Sequence, residues 1–257
     1  MLAAARVRWL ALLLVYYVIQ LLVSVVPVAG PLAMMILRPV FTVGFLAAAW
    51  TQQRGGIREL DAGRGWVSAW IAWIALLFRG FQTNLRALIP IGVVLVAGAM
   101  FAILATALVD GGALLDAVTA NAKPDEGLVT NTRVEAAMLF GIVCALPTLL
   151  AVWFAPALVV FQDCGAAQAL AMSFRAALAN WRALIVYGLL LFFYGAVLPG
   201  MAIAVIAVVA PAEAAPYVIA LTIVPYIFLF VAAQAISDYV AYRDIFHADE
   251  VAPPPEK

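Results

Sequence analysis

Residues 87–109 read ALIPIGVVLVAGAMFAILATALV, 23 positions without a charge between Arg86 and Asp110. About 20 apolar residues, at 1.5 Å each, cross the roughly 30 Å of bilayer hydrocarbon. The stretch therefore predicts a transmembrane helix, and the chain repeats the signal on either side. Uncharged apolar runs predict spans at about 9–27, 32–51, 87–109, 136–160, 183–209 and 216–237, the last helix running on toward Tyr242. The first two come from one apolar run interrupted at Pro27, Gly30 and Pro31, residues that punctuate a turn. The reading is an all-α polytopic membrane protein with six transmembrane helices, one domain over residues 1–246 and both termini on one side. Residues 247–257, with Pro253, Pro254 and Pro255, read as a disordered cytoplasmic tail.

Composition agrees. Of 257 residues, 67 % are apolar and 11 % charged, with a mean hydropathy of +1.10. Soluble domains average about 45–50 % apolar and about 25 % charged, because water must be met with polar groups. This excludes a soluble enzyme and a disordered chain. Fourteen basic residues balance fourteen acidic ones, so no nucleic-acid partner is expected. Cys144, Cys164 and the single histidine, His247, are too few for a disulfide framework or a Cys/His metal centre. No H-E-x-x-H, G-x-S-x-G or Walker pattern occurs, and no span centre holds an aspartate pair. No catalytic residue, metal or cofactor is therefore expected. The opening apolar run is too long for a signal peptide and reads as a retained helix.

Basic residues set orientation. With the N-terminus inside, Arg6, Arg8, Arg54, Arg58, Arg64, Arg79, Arg86, Arg175, Arg182, Arg243 and Lys257 are cytoplasmic, eleven of fourteen. Lys123 and Arg133 lie outside, and Arg38 lies within a span.

Residues 66–78, WVSAWIAWIALLF, give 13 positions before Arg79, short for a span. Trp66, Trp70, Trp73 and Leu77 recur at helical spacing, and tryptophan favours the membrane interface. An interfacial amphipathic helix over about 66–82 is expected, a seventh span being the alternative. The chain also matches itself at an offset of 96 residues: seven of twelve positions are identical between Phe78–Ile89 and Phe174–Ile185. A second interfacial helix is expected at about 166–181, and Arg8-Trp9-Leu10-Ala11-Leu12 reads as the remnant of a third copy. Pro39, Pro156 and Pro225 each fall in a returning helix, which suits three hairpin repeats. Arg79 and Arg86 are seven apart, close to one helical face, and Arg175 and Arg182 repeat the spacing. These four are candidate lipid-head-group contacts, since arginine snorkels to phosphate. A plain surface anchor is the blander reading. Asn84 and Asn180 are expected to cap the following spans or to bond to a neighbouring helix.

Four polar residues are candidates for an intramembrane or polar-network role. Arg38 carries a charge that costs about 2.5–3.5 kcal/mol at a helix centre; Asp110 and Glu135 are expected at its level as partners. Gln234 and Asp238 lie one turn apart with Tyr242 one turn further, near the cytoplasmic surface by count. Asp163 is expected at that level too, either joining them in a network or capping a helix from about Gly165. Gly44/Ala48 and Gly98/Ala102 have the small-xxx-small spacing of close helix packing.

The run Trp153–Asp163, then Ala169-Leu170-Ala171-Met172-Ser173-Phe174-Arg175, Asn180-Trp181-Arg182-Ala183 and the ending Tyr239–Phe246 resemble an uncharacterised family of proteobacterial multi-pass inner-membrane proteins. More distantly, the pattern is similar to the membrane domain attached to some bacterial glycerophosphodiester phosphodiesterases. That enzyme's catalytic domain is absent, so no chemistry carries over. The resemblance covers nearly the whole chain and implies a six-span fold in the inner membrane, with N- and C-termini cytoplasmic by charge, and no activity. The expected function is a non-enzymatic scaffold or accessory factor whose partners are membrane lipids, other envelope proteins or itself. The alternative is a small-molecule or lipid transporter or channel. A continuous polar cavity reaching Arg38 favours the alternative; a filled core favours the scaffold.

Overall fold

The structure, a computed structural model, describes residues 6–56, 65–82, 84–119 and 132–247. The expected tail lies outside these residues beyond His247, as does most of the loop before Thr132. Every described element is helical. The physical reason is that lipid offers no hydrogen bonds, so a spanning backbone must satisfy itself internally.

The order is α1 (Arg6–Ser24), α2 (Ala29–Gln53), α3 (Trp66–Ala75), a 3₁₀ turn (Leu76–Phe78), α4 (Arg79–Gln82), α5 (Leu85–Asp110), α6 (Ala113–Thr119), α7 (Thr132–Trp153), α8 (Ala155–Gln162), α9 (Ala166–Ala179), α10 (Trp181–Phe192), a π turn (Phe193–Val197), α11 (Leu198–Val209) and α12 (Ala215–Phe246). Among the described residues, six helical units are long and apolar enough to cross a membrane: Arg6–Ser24, Ala29–Gln53, Leu85–Asp110, Thr132–Gln162, Trp181–Val209 and Ala215–Phe246. Residues 66–78 are not among them.

α2 is the packing centre. It touches α1, α5, α8 and α12, together with the 3₁₀ turn and α4. Its contacts are backbone-close because glycine removes the side chain in between. A Cβ on Gly92 would sit 1.9 Å from the Ile36 carbonyl oxygen, and one on Gly44 would sit 2.5 Å from that of Leu77. Gly98 likewise meets the Thr148 side chain, at 2.3 Å from a built Cβ. Both glycines singled out by small-xxx-small spacing thus lie at close contacts, Gly44 against the 3₁₀ turn and Gly98 against α7.

The helix beginning at Trp66 turns one face inward: Ala69, Trp73, Leu77 and Gly80 are buried while Trp66 and Ile71 are exposed. The Trp73 indole donates to the Arg8 carbonyl at 2.8 Å and meets Trp9 edge-on, and the Trp9 indole donates to Gln52 at 2.6 Å. Ala169, Ser173 and Ala177 form the buried face of α9. The break between α7 and α8 has a defined cause. The Ser173 hydroxyl donates to the Leu150 carbonyl at 2.8 Å and accepts from the Phe154 amide at 3.0 Å. Leu150 and Phe154 are the i and i+4 partners of an unbroken helix, so the serine is inserted into the ladder, a recognised source of kinks.

Candidate functional site

Arg38 sits on α2 beside Pro39, and the Thr42 hydroxyl donates back to its carbonyl at 2.9 Å. Among the described residues its guanidinium makes no hydrogen bond or ion pair; Asp238 and Tyr16 lie within electrostatic reach. Arg38 is exposed, and what it is exposed to is a cavity.

Two cavities meet at this residue. The first, about 360 Å³, lies between α2, α5, α7, α8, α10 and α12, with Leu95, Leu149, Val152 and Leu191 among its walls. The second, about 630 Å³, lies between α1, α2 and α12. Tyr16, Tyr17, Phe41 and Phe45 give it an aromatic wall, and Gln20 and Ser24 line it toward the α1–α2 turn. Both cavities share Arg38, Thr42, Gln234 and Asp238. These four residues therefore form one junction with a cavity on either side.

Asp238 is held in place from two other helices. Its Oδ1 accepts from the Tyr187 hydroxyl at 2.9 Å and from the Trp153 indole at 3.3 Å, and the Trp153 and Tyr187 rings pack with centroids 5.5 Å apart. Gln234 lies one turn earlier on the same face of α12. The junction thus contains one guanidinium without a hydrogen-bonded acceptor and one carboxyl group with two donors.

Several sequence expectations change here. Asp110 does not face Arg38: its two carboxylate oxygens accept from the Gly112 and Leu114 amides at 2.9 and 2.8 Å, closing the turn into α6. Nor does Glu135 line either cavity. The charge opposite Arg38 comes from α12 instead. Asp163 and Asp238 bond to different partners, Asn84 for the first and Trp153 and Tyr187 for the second, while Phe161, near the end of α8, stacks on Tyr242 at 5.3 Å and lies tilted to Tyr239 at 6.2 Å. Asp163 ends α8 in a left-handed conformation, φ 51°, and accepts from the Asn84 amide at 3.0 Å; α9 starts without a side-chain cap. Asn84 also donates to the Val159 carbonyl at 3.2 Å, so it bonds across to the neighbouring helix and does not cap. Asn180 donates within its own helix, to Ala176 at 2.9 Å.

The four arginines at the offset of 96 do not share helical faces as their spacing suggests. Asn84 at φ 49° separates Arg79 from Arg86, and Asn180 at φ −108° separates Arg175 from Arg182. Arg79 is half-buried, while Arg86, Arg175 and Arg182 are exposed, the last over the Trp181 ring at 5.4 Å. Burial, and then the neighbouring Asp163 carboxylate, push the Cys164 thiol up, which keeps it protonated and unreactive. Among the described residues no three His, Cys, Asp or Glu side chains gather as a metal site. Ser173, Trp153 and Tyr187 were not singled out by sequence reasoning. Only Ser173 left a trace there, as the middle of an Ala-x3-Ser-x3-Ala stripe.

The chain is 27 % identical over 254 residues to a probable inner membrane protein of Burkholderia thailandensis, an alignment covering 96 % of this chain and 87 % of that one. No family model matches the chain. No solved structure matches it. The coarse reading is therefore an all-helical integral membrane protein similar to an inner-membrane protein, and the phosphodiesterase-linked likeness stays a resemblance.

Proposed function

We propose that this protein is a small-molecule or lipid transporter of the inner membrane, non-enzymatic, with both termini cytoplasmic and its site at the junction of Arg38, Thr42, Gln234 and Asp238. The observation that carries the reading is the pair of cavities that share those residues, about 360 and 630 Å³. Both volumes fall in the range of about 300–1,000 Å³ of small-molecule sites. Intramembrane charges face bundle interiors or water-filled cavities and mark substrate paths. A scaffold has no use for a guanidinium left without a hydrogen-bonded acceptor in such a place. The scaffold reading draws on one different feature: no residue of Trp181–Val209 is buried, which leaves that span to lipid or to a partner.

The test is thiol accessibility in right-side-out and inside-out membrane vesicles. In a chain with Cys144 and Cys164 replaced by serine, Thr42→Cys and Gln234→Cys are treated with a membrane-impermeant maleimide from each side. Ala212→Cys, on an exposed turn, is the control. The transporter reading expects both junction residues to react from at least one side. Failure of both to react while Ala212→Cys is labelled overturns it.

A further inference from the structure

We infer that the ligand is a single-tailed amphiphile with one negatively charged head group, the head on Arg38 and the tail along the Tyr16–Phe41–Phe45 wall. This rests on the transport reading above and names the substrate class of the same site.

The head-group assignment follows from unequal satisfaction at the junction. Asp238 accepts two hydrogen bonds on one carboxylate oxygen. Arg38 has five N–H donors and, among the described residues, no hydrogen-bonded acceptor. A planar guanidinium with free donors suits a carboxylate or phosphate, which it grips through two parallel bonds. The Asp238 carboxylate on the opposite side limits how much negative charge is welcome, so a monoanion fits better than a multiply charged head. A cationic head would meet Arg38 directly and is excluded by like-charge repulsion.

The tail assignment follows from the larger cavity. Tyr16 stands edge-on to Phe41 at 5.3 Å and to Phe45 at 5.4 Å, a fixed apolar wall. Met34 and Met35 line the same cavity. Their unbranched, polarisable side chains adapt to an alkyl chain of varying length. A volume of about 630 Å³ holds a drug-sized molecule, well short of a two-chain phospholipid.

The experiment uses the full chain in phosphatidylcholine nanodiscs, titrated with dodecanoate, dodecyl phosphate, dodecanol and dodecyltrimethylammonium. The two anions separate a fatty carboxylate from a phosphate source. The expected result is that at least one anion binds ten-fold or more tighter than dodecanol and the cation. Arg38→Gln is expected to abolish that difference while leaving dodecanol binding unchanged, and Arg38→Lys to retain part of it. Asp238→Asn is expected to admit a second negative charge, tightening dodecyl phosphate more than dodecanoate. Equal binding of dodecanol and both anions overturns the inference, as does unaltered anion preference in Arg38→Gln. If Arg38→Gln does not fold, the native junction gives the answer through Thr42→Cys. Protection of that thiol from the maleimide by an anion and not by dodecanol supports the inference. Labelling that no amphiphile slows overturns the ligand class and leaves the transport reading standing; absence of labelling at Thr42→Cys and Gln234→Cys alike, with Ala212→Cys labelled, overturns both.

Discussion

Ser173→Ala removes one hydroxyl that two backbone groups depend on. The serine is fully buried, and its Oγ bridges Leu150 O and Phe154 N, at 2.8 and 3.0 Å. After the substitution the helix has two choices. It can close, letting Phe154 N bond directly to Leu150 O, or it can keep its kink and strand both groups. Pro156 opposes closure, because its ring clashes with the carbonyl four residues earlier, that of Val152. Phe154 opposes it too, being 1 % exposed and packed edge-on against Phe246 at 5.9 Å. A stranded buried group costs about 1–3 kcal/mol in soluble proteins. Inside membranes a hydrogen bond averages about 0.6 kcal/mol and reaches about 1.7, because the unfolded state finds other partners. Two bonds at the membrane scale give a loss of about 1–3 kcal/mol. Reversible unfolding in mixed micelles, followed by far-ultraviolet circular dichroism, measures it. The double variant Ser173→Ala/Pro156→Ala tests the cause, since removing the proline lets the ladder close and recovers part of the loss, a non-additivity of about 0.5 kcal/mol or more. A Ser173→Ala variant within about 0.3 kcal/mol of the parent, with an additive cycle, would refute the inserted-hydroxyl account.

Other outcomes follow from single contacts. Gly92→Ala drives a methyl into the Ile36 carbonyl, so it is expected to cost at least the about 1–3 kcal/mol of overpacking, whereas Gly200→Ala, with open space around its Cβ, is expected to be neutral in the same melt. Asn84→Ala removes the bonds to Val159 and Asp163 and places a Cβ residue without Asn's tolerance at φ 49°. It is expected to lose about 1–2 kcal/mol while labelling of Thr42→Cys is unchanged, because the two sites do not touch. Asp163→Asn, which keeps the acceptor oxygen, is expected to lose less than Asn84→Ala. Reporter fusions after residues 60, 120, 170 and 250 are expected to read cytoplasmic at all but 120; a cytoplasmic reading at 120 overturns the orientation.

The six spans were legible because lipid imposes one rule on every spanning segment, a long uncharged run, and the counts along the chain obey it. Their ends were less so. α12 passes the expected span end near residue 237 and the expected run toward Tyr242 and reaches Phe246, since Tyr239, Tyr242 and Phe246 pack on Phe154 and Phe161. Apolar counting cannot distinguish a helix that ends at the membrane from one that continues against protein. Arg38 stood out because its cost is a property of one residue. Its partner did not, because counting depth from helix ends assumes parallel, level spans, and Asp110 and Glu135 follow from that assumption. In the fold Asp238, eight residues from the end of α12, comes to the cavity through packing. Ser173 was invisible as a ladder partner for a related reason: a buried hydroxyl in an alanine-rich helix says that something needs it, and the something lies 23 residues away.

Position within the bundle explains how Arg38 is tolerated at all. Of the apolar stretch of α2, 56 % is buried by other helices, against none of Trp181–Val209. A charge on the latter would face hydrocarbon and pay the full about 2.5–3.5 kcal/mol of insertion, relieved only by snorkelling. On α2 the neighbouring α12 supplies the Asp238 carboxyl and the Gln234 amide at the junction. Placing the arginine on the most enclosed helix therefore costs least at the position that also lines both cavities. The same logic makes the two regions respond oppositely to change. Apolar substitutions at the most exposed positions of Trp181–Val209, such as Val205 and Val208, clear of Tyr187 and Leu191, are expected to pass unnoticed in stability. Arg38→Leu removes the desolvation cost, so it is expected to hold or raise stability while abolishing selective anion binding. That opposition separates a residue kept for a ligand from one kept for the fold: an Arg38→Leu variant that unfolds would place Arg38 in the second group.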